Sequence, residues 1–361
     1  MKLLKQLSEA FGGSGYEDEV AAIVEAELAP LCDRVWIDTL GNVIGLKRAR
    51  AGRGGRAAKV KAKAAKGARP AGGRKRIMLA AHMDEIGFVV SHIDDKGFLR
   101  VQPAGGFDPR TMIAQRVCVL GKGRTRTTGL LNVAGKPIHV QSPEERRKDL
   151  EVANFFVDVG LPAAEVRKRI GIGDRVIWER GFVKMGDCVT GKALDNRAGV
   201  YVMIEALRKI ARSPYDIYAV GTVQEEVGLR GASTSAYEIE PHVAIALDVT
   251  LAVDIPDGEE HQRVTELGKG VALKIMDSAS ISDAKLVAEF QELADRKGIP
   301  YQFEILPRGG TDAGRMQTTR GGARTITLSV PLRYVHSVNE CAHARDLQAA
   351  INLLAAYLAG D

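Results

Sequence analysis

Ionisable side chains end four separate apolar runs of the chain, and they are of the types that bind metal ions. His82 ends the first run, Glu225 and Glu226 end the second, Asp248 ends the third and His336 ends the fourth. In open α/β sheets, ligands bind in the crevice outside the carboxyl ends of the strands. We therefore expect these side chains to converge on one edge of a sheet, where imidazole and carboxylate together suit zinc, cobalt or manganese.

The adjacent pair Glu225 and Glu226 supports this interpretation. Two neighbouring carboxylates at the end of a buried strand repel each other and lose hydration. A bound cation removes that repulsion. Asp195, at the start of an amphipathic helix in the stretch GKALDNRAG, is a further carboxylate that could bridge two ions.

Each of these residues also has an ordinary structural interpretation. A single histidine is more often a core or surface residue than a ligand, and two adjacent glutamates usually form a solvated turn. Asp195 or Asp248 alone is more often a helix cap or a loop carboxylate. The coincidence of such residues at the ends of four apolar runs is what favours the metal site.

The elements that must position these side chains alternate between strand and helix patterns. The apolar runs are short and nearly continuous, as in strands that are covered on both faces, and they occupy residues 76–85, 216–226, 242–250 and 323–337. Apolar residues recur at helical spacing in DNRAGVYVMIEALRKIARS, DAKLVAEFQELADRKG and ARDLQAAINLLAAYLAG. This alternation predicts an α/β fold with a layered sheet.

Residues 91–189 have a different pattern, with short β-type runs interrupted by glycine and proline. This pattern predicts a small β domain, either barrel-like or sandwich-like, inserted into the α/β domain. A chain of 361 residues is also longer than one core usually organises. The predicted organisation is a first catalytic part at 1–90, an inserted β-rich domain at 91–189 and a second catalytic part at 190–361.

One segment accounts for the whole net positive charge of the chain. The net charge is +6, but residues 47–76 hold 13 of the 51 basic residues and no acidic one. Such an Ala/Gly/Lys/Arg segment cannot bury enough surface to offset its ordering entropy, so we expect it to be disordered or locally helical, inserted between two strands. It could contact a polyanion non-specifically and in a salt-sensitive way, or be a solvated insertion without function.

The remaining composition indicates a cytoplasmic protein. No apolar run approaches the roughly 20 residues that cross a bilayer, and the N-terminal stretch lacks the apolar region of a secretory signal. The four cysteines are scattered without C-x-x-C spacing, which fits reduced thiols better than a disulfide framework.

The chain resembles a known family through six motifs in order: AAHMDEIGFVV, ALDNRAG, VQEEVGLRGA, ALDV, GGTDAG and RYVHS. These resemble the tetrahedral, glutamyl-aminopeptidase-like metallo-aminopeptidases over nearly the whole chain except the basic segment. The resemblance implies a layered mixed sheet with helices on both faces, as in dinuclear-metal exopeptidases, carrying an inserted small β-barrel-like domain that forms dimers. It also implies homododecamers of tetrahedral shape, built from dimers, that admit small peptides to an interior cavity.

The resemblance implies two divalent ions per subunit, Zn²⁺, Co²⁺ or Mn²⁺. His82 and Asp248 correspond to ligands of one ion, and Glu226 and His336 to ligands of the other. Asp195 corresponds to the carboxylate that bridges both.

The resemblance also implies roles in the reaction. Glu225 corresponds to the general base beside a metal-activated water, and Asp84 to the carboxylate that fixes the imidazole of a ligand. One metal would bind the free α-amine of the substrate, which implies aminopeptidase action. Thr311 and Asp312 are expected substrate contacts, and the peptide bond between Asp195 and Asn196 is expected to be cis.

Two other classes of function remain open at this point. One is a different hydrolase with the same dinuclear chemistry, a deacylase or a carboxypeptidase, and relatives of the family have also been labelled endoglucanases. A glycosidase would normally use two carboxyl groups that flank the sugar, without metals, whereas here histidines accompany the acidic residues, which disfavours that activity. The other is a polyanion-binding protein on a retired enzyme scaffold, against which the intact ligand set and Glu225 argue.

Overall fold

The computed structural model describes residues 1–50, 74–147 and 149–361. Its helices are α1 (Lys2–Glu9), α2 (Asp18–Leu28), α3 (Pro143–Arg146), α4 (Ala163–Arg169), α5 (Leu194–Lys209), α6 (Arg230–Ile239), α7 (Ala284–Lys297), α8 (Ala313–Gln317) and α9 (Ala344–Ala359). Its strands are β1 (Arg34–Ile37), β2 (Val43–Lys47), β3 (Arg76–His82), β4 (Gly87–Ile93), β5 (Leu99–Ala104), β6 (Gln115–Leu120), β7 (Arg126–Val133), β8 (Phe155–Asp158), β9 (Arg175–Trp178), β10 (Val183–Met185), β11 (Cys188–Gly191), β12 (Asp216–Thr222), β13 (Val243–Leu251), β14 (Val271–Met276), β15 (Tyr301–Ile305), β16 (Arg324–Arg333) and β17 (Glu340–His343). None of the helices in these ranges has both the length and the apolar character that a membrane span requires.

In the described part of the chain, eleven strands form one mixed sheet. Nine of them follow the order β1-β2-β12-β3-β13-β16-β17-β11-β10, and β14 pairs with both β16 and β15. The four strands that the sequence predicts, β12, β3, β13 and β16, are neighbours and run parallel to one another. Their carboxyl ends therefore lie at the same edge of the sheet, as predicted for the site.

Alternate side chains of the central strands enter two separate cores, because successive residues of a strand point to opposite faces. Ile77 and Leu79 of β3 belong to the larger core, which also includes residues of α1, α2, α5, α7 and α9. Met78 and Ala80 belong to a smaller core with residues of α6 and α8. The predicted α/β architecture with helices on both faces of the sheet is confirmed.

The inserted strands close into a barrel. Six described strands pair antiparallel in the order β4-β5-β8-β7-β6-β9, and the last pairs with the first. The barrel has its own core, which includes Phe88, Val117 and Trp178. Its strands run from Gly87 to Trp178. By contrast, β10 and the first two residues of β11 fall inside the predicted 91–189 insertion but belong to the large sheet, through the pairing of β10 with β11 and of β11 with β17.

The basic segment 47–76 connects β2 to β3, in agreement with an insertion between two strands. Its expected disorder or local helix falls on residues 51–73, which lie outside the described residues. The polyanion contact that the sequence leaves open also falls on this segment, outside the described residues.

A lysine in β14 is buried together with two carboxylates. Lys274 Nζ lies 3.0 Å from Glu304 Oε1 and 3.3 Å from Asp277 Oδ2, and all three side chains are buried. Replacing Lys274 by methionine leaves two uncompensated carboxylates in the interior, so we expect the free energy of unfolding to fall by about 3–5 kcal/mol in urea denaturation. Lys297→Met, which removes an exposed ion pair with Asp361, is the matched control and should cost less than about 1 kcal/mol. An equal fall in the free energy of unfolding in Lys274→Met and Lys297→Met would contradict the prediction.

Candidate metal centre

The five residues expected to be ligands meet at the carboxyl edge of the central parallel strands. His82 is the last residue of β3, Asp248 lies in β13 and Glu226 follows the end of β12. Asp195 lies at the start of α5, and His336 lies in the turn between β16 and β17. His82, Asp195 and Asp248 are buried, and Glu226 and His336 are partly buried.

Asp195 lies between the two histidines, with one carboxylate oxygen facing each. Its Oδ1 is 3.2 Å from His82 Nε2, and its Oδ2 is 3.3 Å from His336 Nε2. Asp248 Oδ1 lies 3.9 Å from His82 Nε2, and Glu226 Oε2 lies 3.5 Å from His336 Nε2. Two groups of three side chains therefore share Asp195, and in each group the potential ligand atoms lie within 4.8 Å of one another.

The charges of this cluster fit divalent cations. Asp195, Glu225, Glu226 and Asp248 approach one another around only two imidazoles. Among the described residues, no lysine or arginine forms a salt bridge with any of these four carboxylates. Carboxylates removed from water need a compensating positive charge, and the mixed oxygen and nitrogen donor set suits first-row divalent metals.

Asp84 holds both the histidine and the turn that carries the glutamates. Its Oδ1 lies 3.4 Å from His82 Nδ1, and its backbone oxygen lies 3.1 Å from the same nitrogen. Its carboxylate also accepts hydrogen bonds from the backbone N–H groups of Glu225 at 3.0 Å and Glu226 at 3.2 Å. Ser14 Oγ donates to the same carboxylate at 2.7 Å. The carboxylate of Asp84 thus connects one ligand to the neighbouring turn.

A cavity of about 540 Å³ opens over these residues, with Leu251, Leu306, Arg308 and Thr311 on its walls. Thr311, an expected substrate contact, therefore borders the cavity. Asp312 is 2% exposed and lies behind the wall. Its Oδ2 accepts a hydrogen bond of 2.5 Å from Thr222 Oγ1, at the end of β12.

Comparison with known proteins decides the family. The family model described as M42 glutamyl aminopeptidase matches residues 65–353. The chain belongs to the M42 glutamyl aminopeptidase family. Members of this family are metal-dependent peptide hydrolases, so this chain is a peptide hydrolase of that family.

Individual M42 relatives match over nearly the full length. The lysyl aminopeptidase of Pyrococcus furiosus is 37% identical over 99% of this chain and 96% of that protein. The solved structure of aminopeptidase APDkam598 from the archaeon Desulfurococcus kamchatkensis has a TM-score of 0.90 and 38% identity, over 100% of this chain and 94% of that chain. The TET1 peptidase of Pyrococcus horikoshii, which can assemble into a tetrahedron or a large octahedral shell, has a TM-score of 0.82 and 26% identity, over 99% of this chain and 98% of that chain.

The geometry of this M42 chain includes the expected cis peptide bond between Asp195 and Asn196. It also includes supporting residues that sequence reasoning missed. Glu17 accepts a hydrogen bond from the backbone N–H of Gln224 at 3.1 Å, and Asn42 accepts one from that of Val223 at 3.1 Å. Neither side chain ends an apolar run, so nothing in the local sequence pattern indicates these roles.

Glu340 is a further residue that sequence reasoning missed. Its carboxylate accepts hydrogen bonds from the backbone N–H groups of Asp195 and His336. Burial raises the pKa of Glu340 well above its ordinary value, as does the nearby charge of Asp195. The only signal in the sequence is its position four residues after His336.

Without bound cations, the M42 site holds more protons than the same groups would in water. Burial raises the pKa of Asp248 to about 7 and that of Glu226 to about 8. Burial lowers the pKa of His336, but its hydrogen bond to Asp195 and the charge of Glu226 raise it overall to about 10. Asp195 is the exception, because its hydrogen bonds to His336 and His82 outweigh burial and lower its pKa.

These pKa shifts predict that metal binding releases protons. A cation needs the deprotonated forms of Asp248, Glu226 and His336, whose raised pKa values keep protons on them near neutral pH. We expect the dissociation constant for Zn²⁺ to fall at least about tenfold as the pH is raised from roughly 6 to 8, because these groups lose their protons over that range. Calorimetric titrations in buffers of different ionisation enthalpy would count the released protons. A dissociation constant that is independent of pH over this range would contradict the prediction.

Proposed function

We propose that this protein is an aminopeptidase that removes N-terminal residues from small peptides with two divalent ions, Zn²⁺, Co²⁺ or Mn²⁺. The observation that carries the proposal is the placement of Asp195, with one oxygen toward His82 and the other toward His336. His82 and Asp248 would hold one ion, Glu226 and His336 would hold the other, and Asp195 would be shared between them. M42 membership supports the reaction class.

When bound, the two ions would acidify a water molecule and polarise the carbonyl of the scissile bond. Glu225 Oε2 lies 3.8 Å from His82 Nε2, a nitrogen that would hold an ion, and Glu225 borders the cavity. Glu225 is therefore the general base. It accepts a proton from the attacking water and returns it to the nitrogen of the leaving amine. Asp84 keeps this carboxylate in place through the backbone N–H of Glu225.

A free N-terminal amine is the feature that an exopeptidase of this kind would recognise. Asp195, Glu226 and Asp248 line the cavity, so an ion held by these carboxylates would be accessible to the α-amine of the substrate. A neutral amine has a lone pair for such an ion, whereas the nitrogen of an acetylated N-terminus shares its lone pair with the acetyl carbonyl. This difference supports exopeptidase action on the N-terminal residue.

The test is hydrolysis of aminoacyl-p-nitroanilides by protein stripped of metal and refilled with Zn²⁺, Co²⁺ or Mn²⁺. We expect cleavage of substrates with a free α-amine only after refilling. N-acetylated versions of the same substrates, at the same concentration, are the matched control. Cleavage of the acetylated substrates, or of none by any refilled form, would contradict the proposal.

We also propose that the protein forms a dimer-based homo-oligomer, a tetrahedral dodecamer with the barrel at the dimer contact. The similarity to the TET1 peptidase supports this assembly. Light scattering should give a mass near twelve times the 38.9 kDa of one chain. A monomeric mass under the same conditions would contradict the assembly.

We place the protein in the cytoplasm. All four of its cysteines are free thiols, including the half-buried Cys32 and Cys118. Free thiols persist in a reducing compartment. Cell fractionation that recovers the protein with secreted material would contradict this location.

A further inference from the structure

Glu340 joins the two segments that carry Asp195 and His336. Its Oε2 accepts a hydrogen bond of 2.9 Å from the backbone N–H of Asp195, and its Oε1 accepts one of 2.9 Å from that of His336. The side chains of these two residues face each other at 3.3 Å. Glu340 is 2% exposed, so the chain keeps a polar carboxyl group in its interior at this point, which is costly unless its hydrogen bonds compensate.

Local backbone conformation does not by itself stabilise either segment. His336 lies in the turn 334–339, where Tyr334 has a φ of 64° and His336 a φ of 61°. Asp195 lies two residues after Ala193, which has a φ of 56°. Residues with a Cβ rarely adopt these left-handed values, each of which costs free energy. Hydrogen bonds from outside each segment are therefore needed to hold the side chains of Asp195 and His336 at the observed distance from each other.

The sheet fixes Glu340 itself. It is the first residue of β17 and pairs with Gly191, the last residue of β11. β17 also pairs with β16, whose end leads into the turn that carries His336. Glu340 is thus held at the point where the segments leading to Asp195 and His336 both leave the sheet.

We infer that Glu340 is the positioning residue that sets the distance between Asp195 and His336, and so preserves the group Asp195, Glu226 and His336 for its ion. It acts through the backbone and touches no substrate. The other group shares Asp195 but depends on Glu340 less, because its other two members, His82 and Asp248, are held by the strands β3 and β13 and form no hydrogen bond with Glu340. The inference rests on the proposed metal site and adds to it a residue outside the predicted ligand set.

The test is Glu340→Gln, measured by calorimetric titration of metal-stripped protein with Zn²⁺. Glutamine keeps the size of the side chain but has one acceptor oxygen, so one of the two backbone N–H groups then faces an amide donor. We expect the ion on the His336 side to bind at least about tenfold more weakly, and the ion on the His82 side to stay within about threefold of wild type. Cobalt absorption spectra should show the same selective loss of one site.

The control is Glu238→Gln, which removes an exposed carboxylate from α6 and should bind both ions as wild type does. Equal melting temperatures of metal-free wild type and Glu340→Gln would show that the variant is folded. Binding of both ions with wild-type affinity, or equal weakening of both, would overturn the inference alone. Wild-type protein that binds no divalent ion would contradict the proposed function and this inference with it.

Discussion

Replacing Glu225 by glutamine should lower kcat by at least about 10³-fold while the protein keeps its metal ions. Glutamine has the shape of glutamate but cannot accept the proton of the attacking water. The backbone N–H of residue 225 can still donate to Asp84, so the turn should keep its conformation. The measurement is kcat for an aminoacyl-p-nitroanilide at saturating metal, with metal content determined on the same sample.

Two comparisons make this result specific to proton transfer. Glu238→Gln, on the exposed surface of α6, should have the kcat of wild type. Metal content in Glu225→Gln should equal that of wild type, because Glu225 is outside the proposed ligand set. Substantial activity in the variant would exclude Glu225 as the general base, and loss of an ion would make it a ligand instead.

Replacing Asp195 by asparagine should release both ions, whereas replacing His336 by alanine should release mainly one. Asp195 is the only residue in both proposed ligand groups, and the amide nitrogen of asparagine would face one of the histidines without a lone pair to offer. We expect kcat/KM to fall by more than about 10³-fold in Asp195→Asn at limiting metal. Metal analysis after dialysis against metal-free buffer provides the measurement.

These two variants, together with Asp248→Ala, distinguish a shared site from two independent ones. If Asp195 bridges, metal content falls further in Asp195→Asn than in His336→Ala or in Asp248→Ala. Equal metal content in all three variants would mean that the ions do not share a ligand. Thermal melting of each metal-free variant checks that the fold survives.

The sequence was sufficient to predict the main part of the fold and the convergence of the site. His82, Glu226 and Asp248 could be found because each stands at or near the carboxyl end of a continuous apolar run, and such runs form parallel strands covered on both faces. Parallel strands necessarily bring these ends to one edge. The common edge of the site therefore follows from local patterns, whereas the order of the strands in the sheet depends on contacts between distant segments.

Other features depend on contacts between distant parts of the chain. β10 and β11 have the same short, glycine-interrupted pattern as barrel strands, and only the pairing of Cys188 with His343 and its neighbours assigns β11 to the large sheet. Asp312 lies within the motif GGTDAG beside the cavity, but its side chain accepts a hydrogen bond from Thr222 behind the wall. Glu340 acts through two backbone N–H groups, a role that leaves no periodic signal in the sequence.

An anomalous diffraction map from crystals grown with Zn²⁺, recorded at the zinc edge, would locate the bound ions relative to Asp195. We expect two peaks, one on each side of Asp195, the first beside His82 and Asp248 and the second beside His336 and Glu226. A single peak, two peaks that do not share Asp195, or no peak at these residues would contradict a bridged dinuclear site.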